Sequence, residues 1–328
     1  MKVELDDRLE AVGPDAWDRL HAASRSAAPF LSWVWQAEWL RAFASDRRLE
    51  LRRVTDRDGA LVAVLALYEE APGRLALVGG ADNSDYLDLL AVRGREEEAW
   101  TALLGSRATS RDLWELHAVP AASPTVAALP AAARGCGLAA TATVEERCPV
   151  LDLPQTWDAY WAGLPSKYRH ELGRKARRLE REAPGARVTT ASAPGDVAAR
   201  LDDFLRLHRA SRVGKAKFMD ETMEGFFRAT LGALAARGQA RLWFLDLPDG
   251  PIAGFVTLEW GDTVGLYNSG FAPGRAALAP GLVLLTDVVR DAVARGRRRF
   301  DFLRGEERYK YEFGPSAEEV CLVRIGPA

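Results

Sequence analysis

Residues 241–281 read RLWFLDLPDG PIAGFVTLEW GDTVGLYNSG FAPGRAALAP G, and their pattern predicts three successive antiparallel strands followed by a helix. Residues 241–247 are rich in branched and aromatic side chains, as a strand requires. Pro248-Asp249-Gly250 is turn sequence. Ile252, Gly254, Val256, Leu258 and Trp260 fall on alternate positions, which is the period of a strand. Gly261-Asp262 turns the chain into a third strand at 263–269. Pro280-Gly281 opens a helix with Leu282, Leu285, Val288, Val289 and Ala292 on its buried stripe. Strands at 299–302 and 320–325 follow. Upstream, the pattern predicts helices at about 155–162, 167–182, 195–211 and 221–236, with a strand at 186–191.

The first half has the same order. A strand at 3–5 precedes Pro14, which opens a helix to about 23. Ser32 caps a helix over 33–43, where Trp33, Trp35 and Trp39 fall at helical spacing and read as core. Strands at 49–55, 60–68 and 74–78 form a second meander. Residues 86–91 are extended, a helix runs over 95–107, and 113–119, 124–134 and 138–146 read as strand, helix and strand. A meander that leads into a strand–helix–strand crossover implies a mixed sheet with helices on both faces. The expected fold class is therefore α/β, with two tandem domains like those of the GNAT acyltransferases. Each has a mixed, mostly antiparallel sheet flanked by helices. The expected boundaries are 1–150 and 151–328, with the first domain degenerate and the donor site in the second.

Length and composition agree. At roughly 100–200 residues per domain, 328 residues suit two domains, and 48% hydrophobic content is ample for two cores. No apolar run approaches the length of a membrane span, and the acidic N-terminus is unlike a signal peptide, so a cytoplasmic protein is expected. Three scattered cysteines suggest neither a disulfide framework nor a zinc site, and His21, His117 and His170 show no metal-ligand spacing. No metal is expected. Net charge is −2, but residues 1–150 carry −6 and the remainder +4. An anionic ligand is thus expected on the second half. The run from Lys167 to Arg187, with Lys167, Arg169, Arg174 and Lys175 among its eight basic residues, reads first as a solvated helix face.

The helix after each meander is where an anionic donor would sit, because its N-terminal N–H groups are unpaired and its dipole favours negative charge. In the second half the approach carries Arg275 and no acid, and the helix starts Pro280-Gly281-Leu282. In the first half the corresponding helix starts with Glu96, Glu97 and Glu98. Only the second half is thus suited to a phosphate-bearing donor. Next to it lies residues 300–310, FDFLRGEERYK. Acyl transfer to an amine needs charge or N–H donors for the oxyanion and a route for the amine proton. Lys310 or Arg304 can supply the first, and Asp301 or Glu306 the second. Read alone, the segment is also compatible with an ordinary charged loop.

These residues carry a family resemblance. Residues 167–175 (KYRHELGRK), His208 with Arg212 and Gly214-Lys215, residues 267–271 (YNSGF), Pro280-Gly281 and residues 300–306 with Tyr309-Lys310 resemble the FemAB-like GNAT superfamily, in particular its CelD-type acetyltransferases. In the first half, residues 30–43 and 84–90 are similar. The resemblance implies a twin-GNAT fold that transfers an acyl or aminoacyl group to an amine. It places Lys310, with Tyr309, at the reacting carbonyl, and His208, Arg212 and Tyr267 near the acceptor. Asp85 and Tyr86 are expected to meet the acceptor from the first domain. The coiled-coil arm of several Fem enzymes is missing, and so is the closely spaced glycine loop of ordinary GNAT enzymes.

Three functions follow from this reading. The first is N-acyl transfer from acyl-CoA to a small-molecule or peptide amine. The second is Fem-type, peptide-bond-forming aminoacyl transfer, with charged tRNA on the basic segment at 167–187. The third is a GNAT shell that binds without catalysing.

Overall fold

The computed structural model describes residues 1–106 and 112–328. The chain divides into two compact units, Met1–Arg147 with Glu318–Ala328, and Cys148–Ala317. The elements in chain order are β1 (Lys2–Asp6), α1 (Pro14–Ala23), α2 (Trp33–Phe43), β2 (Leu49–Thr55), β3 (Leu61–Ala71) and β4 (Arg74–Leu77). They continue with β5 (Leu90–Ala91), α3 (Glu96–Ser106), β6 (Leu113–Pro120), α4 (Pro124–Gly135) and β7 (Leu138–Asp152). Then come α5 (Trp157–Gly163), α6 (Ser166–Glu182), β8 (Arg187–Ala191), α7 (Pro194–Ser211), α8 (Val213–Phe218) and α9 (Glu221–Ala236). The last are β9 (Ala240–Leu247), β10 (Gly250–Trp260), β11 (Thr263–Phe271), α10 (Pro280–Ala294), β12 (Arg299–Asp301) and β13 (Ser316–Pro327).

Each unit has the mixed, mostly antiparallel sheet expected of the fold. In the first, β1, β2, β3 and β4 form the meander, β4 runs parallel to β6, and β13 lies antiparallel to β6. In the second, β8, β9, β10 and β11 are antiparallel neighbours and β11 runs parallel to β12. The strand beyond β12 is the end of β7, whose Val150–Asp152 pair with Asp301–Arg299. This corrects one expectation. The strand at 320–325 was assigned to the second half, but Val320–Ile325 pair with β6 of the first unit. Periodicity locates a strand but cannot name its neighbour.

Smaller differences have local causes. β7 runs six residues beyond the expected end at 146, because its tail serves β12. Only Leu90–Ala91 of the extended stretch 86–91 pairs as a strand, while Leu87 N–H donates to Ala118 O. The helix α8 was not expected, since Val213–Phe218 shows no apolar stripe and buries no residue. The expected end of the α3 helix at Arg107 lies outside the described residues.

The second unit's sheet is covered on both faces, so β10 is buried along eight consecutive positions, as in sheets sandwiched between helices. One face carries Trp243, Leu245, Phe255 and Leu266 against Leu284, Leu285 and Val288 of α10 and Leu172 and Leu179 of α6. The other carries Phe244 against α7 and α9, where Phe204 stacks on Phe227 with centroids 6.3 Å apart. Gly254 of β10 lies directly opposite Gly270 of β11. A Cβ on Gly254 would meet Phe244 and Leu207 at 3.1–3.3 Å, and one on Gly270 would lie 2.4 Å from the backbone N of His208. The two glycines form a flat seat for the last turns of α7.

The Gly270→Ala variant should therefore lose about 3 kcal/mol of unfolding free energy, the upper range for overpacking, measured by urea denaturation.

Candidate functional site

Strand β11 pairs with β12 only through Thr263–Gly265. Beyond Gly265 β11 no longer pairs with β12, and a pocket of about 320 Å³ opens beside the end of β11. Its walls come from Ser269–Phe271, from Ala279–Leu282 at the start of α10, from Ser211, Arg212 and Lys215 after α7, and from Glu307 and Tyr309. Phe255 and Phe271 make much of the lining apolar.

The α10 start has no acid in its first turn and no side-chain cap. Pro280 has no N–H. The Leu282 and Val283 N–H groups close onto Ala279 O at 3.1 and 3.2 Å, which leaves Gly281 N–H without an intrahelical acceptor. Ala279 enters the helix in the left-handed region, with φ of 50°. A Cβ on Gly281 would meet nothing within 4 Å. Pro280, Gly281 and Leu282 line the pocket, with open space beside Gly281. Arg275 does not. It sits on a short 3-10 turn, Pro273–Leu278, donates to Asp249 at 2.9 Å, and is not among the lining residues. Its predicted donor contact is corrected to an exposed ion pair with the β9–β10 turn.

A further wall comes from α7. Its last turn is closed by Ser211, whose Oγ donates to His208 O at 2.8 Å. Arg212 is extended and exposed, and α8 then folds Lys215 back toward β11. Lys215 Nζ donates to Ser269 O and, at 3.1 Å, to Ser269 Oγ. Burial, then the nearby Arg212 charge, lowers its pKa to about 8, against a smaller upward pull from Glu307.

His208 lies behind this wall. Its ring is buried between Phe204 and Phe218, at centroid distances of 5.7 and 6.0 Å. Burial, with a smaller contribution from Lys215, lowers its pKa to about 4, so it is neutral at pH 7, and a hydrogen bond to Asn268 holds it. It does not line the pocket, which corrects its expected acceptor contact to a packing role. Tyr267 likewise turns away and stacks on Phe227 at 5.7 Å. A bulge at this point shifts the β10–β11 register.

The segment after β12 carries the other candidates. Lys310 is buried and donates to the carbonyls of Leu303, Arg304 and Gly305 at 3.4, 2.8 and 2.9 Å. It also pairs with Glu307 at 2.9 Å. Three ammonium protons face four acceptors, so Lys310 is engaged in holding the loop, and its expected place at a reacting carbonyl is corrected accordingly. Asp301 accepts from Leu303 N–H at 2.8 Å, beside the left-handed φ of 57° at Leu303. Glu306 is exposed and accepts from Tyr311 at 3.0 Å. Glu307, not singled out from sequence, is the carboxylate that lines the pocket. Burial pushes its pKa up, but Lys310 outweighs this and holds it below the usual range. Burial raises the pKa of Tyr309, which packs against the core.

The remaining candidates lie elsewhere. Asp85 and Tyr86 belong to the first unit, on the loop after β4, where Tyr86 sits edge-on to Phe30 at 6.4 Å. That loop fills the gap where β4 and β6 part. Trp35 donates to Ser84, Trp39 to Asn83, and Leu87 N–H to Ala118 O. The α3 helix beside it begins with its three glutamates. The basic patch lies on α6. Arg174 and Lys175 pair with Glu171, Arg169 donates to Ala162 O, and Lys167 stands over the Tyr168 ring at 6.0 Å. Among the described residues, no group of His, Cys, Asp and Glu could hold a metal ion, and no helix is long and apolar enough to cross a membrane.

Residues 166–311, which lie within the second unit, match the family model described as an acetyltransferase (GNAT) domain. Similar solved structures cover nearly the whole chain. A crystal structure of FemX is 12% identical, covers 99% of this chain and 97% of that chain, and superposes with a TM-score of 0.68. The structure of L-PGS from Bacillus licheniformis is 10% identical, with 96% and 91% covered and a TM-score of 0.61. A tandem GNAT protein from the clavulanic acid biosynthesis pathway is 16% identical, with 98% of each chain covered and a TM-score of 0.50. At these identities the likeness is one of fold, and the chain has the FemAB-like twin-GNAT fold. No curated protein matches the sequence.

Neutral His208 makes stability pH-dependent. The unfolded chain takes up a proton below about 6.5, whereas the folded site resists until about 4. Stability should therefore fall as pH drops from 6.5 to 4, by up to about 3 kcal/mol. Urea titrations across that range should show the slope in the wild type and lose it in His208→Gln. The Lys310→Met variant should lose about 2 kcal/mol at pH 7, because it leaves buried carbonyls without a donor.

Proposed function

We propose that the chain transfers an acyl group from acyl-CoA to the amine of a small molecule or peptide. The observation that carries this reading is the acid-free start of α10, which opens into a pocket that also contains Arg212 and Lys215. A helix N-terminus and the Arg212 cation favour the phosphates of a donor. Phe255, Phe271 and Leu282 provide an apolar wall for its uncharged portion. A thioester is already activated, so holding donor and amine together supplies much of the rate.

The first unit has no matching site in this reading. Its corresponding gap is filled by the loop that carries Ser84 and Leu87, and its helix begins with carboxylates. We assign it a supporting role.

Aminoacyl transfer is the second reading. It is favoured by the fold shared with FemX and L-PGS. The basic face of α6 would then meet tRNA, but several of its cations are paired with glutamates of the same helix. The acyl-CoA reading is preferred for that reason.

Calorimetry with CoA and with charged tRNA separates these readings. CoA should bind, and Gly281→Asp should weaken it about tenfold by placing a carboxylate where the phosphates sit, an effect of roughly 1.4 kcal/mol. The thermal midpoint should not fall, because the added side chain enters open space. A wild type that binds charged tRNA with a steep salt dependence and ignores CoA would support the second reading instead.

A further inference from the structure

We infer that Lys215 is the group that takes the proton from the acceptor amine, working from its anchor on the carbonyl and hydroxyl of Ser269. The inference rests on the acyl-transfer reading above.

A neutral lysine amine has two N–H donors and one lone pair. Two acceptors already face Lys215 Nζ, namely Ser269 O and Ser269 Oγ. With both protons directed at Ser269, the lone pair is left for a third partner. The side chain lines the pocket, as the start of α10 does. It therefore stands in the same cavity as the site assigned to the donor.

Burial above all, and then the neighbouring charges, ease loss of the ammonium proton. Arg212 on the α7–α8 junction and Lys310 after β12 both oppose a charge on Lys215, whereas Glu307 supports one. Glu307 is itself paired with Lys310, which weakens that support. His208, behind the wall on α7, is neutral at pH 7, and Tyr309 stays protonated. The amine therefore titrates near pH 8. A base poised near the working pH is the efficient one.

The competing carboxylates are poorer bases. Glu307 is held in its ionised form by Lys310. Asp301 accepts from Leu303 N–H, and Glu306 is exposed and bonded to Tyr311. None of the three combines a free proton-accepting position with a place on the pocket wall.

The acceptor nitrogen attacks the thioester carbon, and a C–N bond forms. Lys215 takes one proton from that nitrogen and becomes an ammonium. The C–S bond breaks, and the leaving thiolate takes the proton back from Lys215. One amine and one thioester give one amide and one thiol, and Lys215 returns to its starting form.

The decisive variant is Lys215→Arg, which keeps a long side chain with N–H donors for Ser269 but cannot lose its proton. Thiol release from acetyl-CoA would be followed from pH 6 to 10 with a panel of amino acids, amino sugars and short peptides. The wild type should gain rate with an inflection near pH 8. Lys215→Arg should bind CoA as the wild type does, yet lose about 100-fold in kcat and lose the inflection. An Arg variant that keeps both rate and inflection overturns the inference. A second measurement needs no acceptor. Acetic anhydride labelling of the wild type, read by peptide mass across the same pH range, should give Lys215 a midpoint about two units below that of free lysine. A midpoint at the free-lysine value overturns the inference while leaving the donor site intact. Failure of the wild type to bind CoA overturns the underlying reading instead.

Discussion

The close approach of α7 to its sheet is the contact on which the pocket depends. Gly254 and Gly270 face one another across β10 and β11, and together they remove the two side chains that would lift the helix. The backbone of His208 then lies against Gly270, and α7 ends at Ser211 beside the end of β11. From there α8 needs only one short turn to return Lys215 to Ser269. A helix raised by even a methyl group would carry Arg212 and Lys215 away from β11. His208 is neutral because it lies inside this contact, where burial disfavours charge.

The two units solve the same topological problem in different ways. In each, a parallel pair of strands separates after three residues and leaves a gap at the strand ends. The carboxyl ends of such strands are where open sheets collect ligands. In the second unit the gap remains open beside an uncharged helix start. In the first, an inserted loop fills it, pinned by indole N–H bonds from Trp35 and Trp39. The glutamates at the start of α3 reinforce the difference, since they occupy the charge preference of their own helix end.

Much of the architecture was legible in the chain. Pro14, Ser32 and Pro280 mark helix starts that local chemistry dictates, and the strand alternation of residues 252–260 needs no partner to be read. The open start of α10 was legible too, because an absence of acids is a property of the sequence. The site residues were harder. Lys310 follows a tyrosine near the chain end and reads as a catalytic cation, but three carbonyls of its own loop surround it. Arg275 reads as a phosphate ligand, but Asp249 lies within reach across a turn. The motif containing Gly214-Lys215 was noticed, yet without α8 nothing indicated that Lys215 reaches the pocket. Glu307 was one of two adjacent glutamates, and only the turn of the loop distinguishes it from Glu306.

What the sequence alone determined is the succession of elements and the sign of charge at each helix start. Both depend on interactions between residues a few positions apart. What only the tertiary structure decided is which strands become neighbours and which ionisable groups share a cavity. Residues 320–325 join the first unit, and Lys215 meets Ser269 across 54 residues of chain. Pairings at such separations arise from how whole faces bury one another, and that burial also sets whether a lysine is a fixed charge or a base.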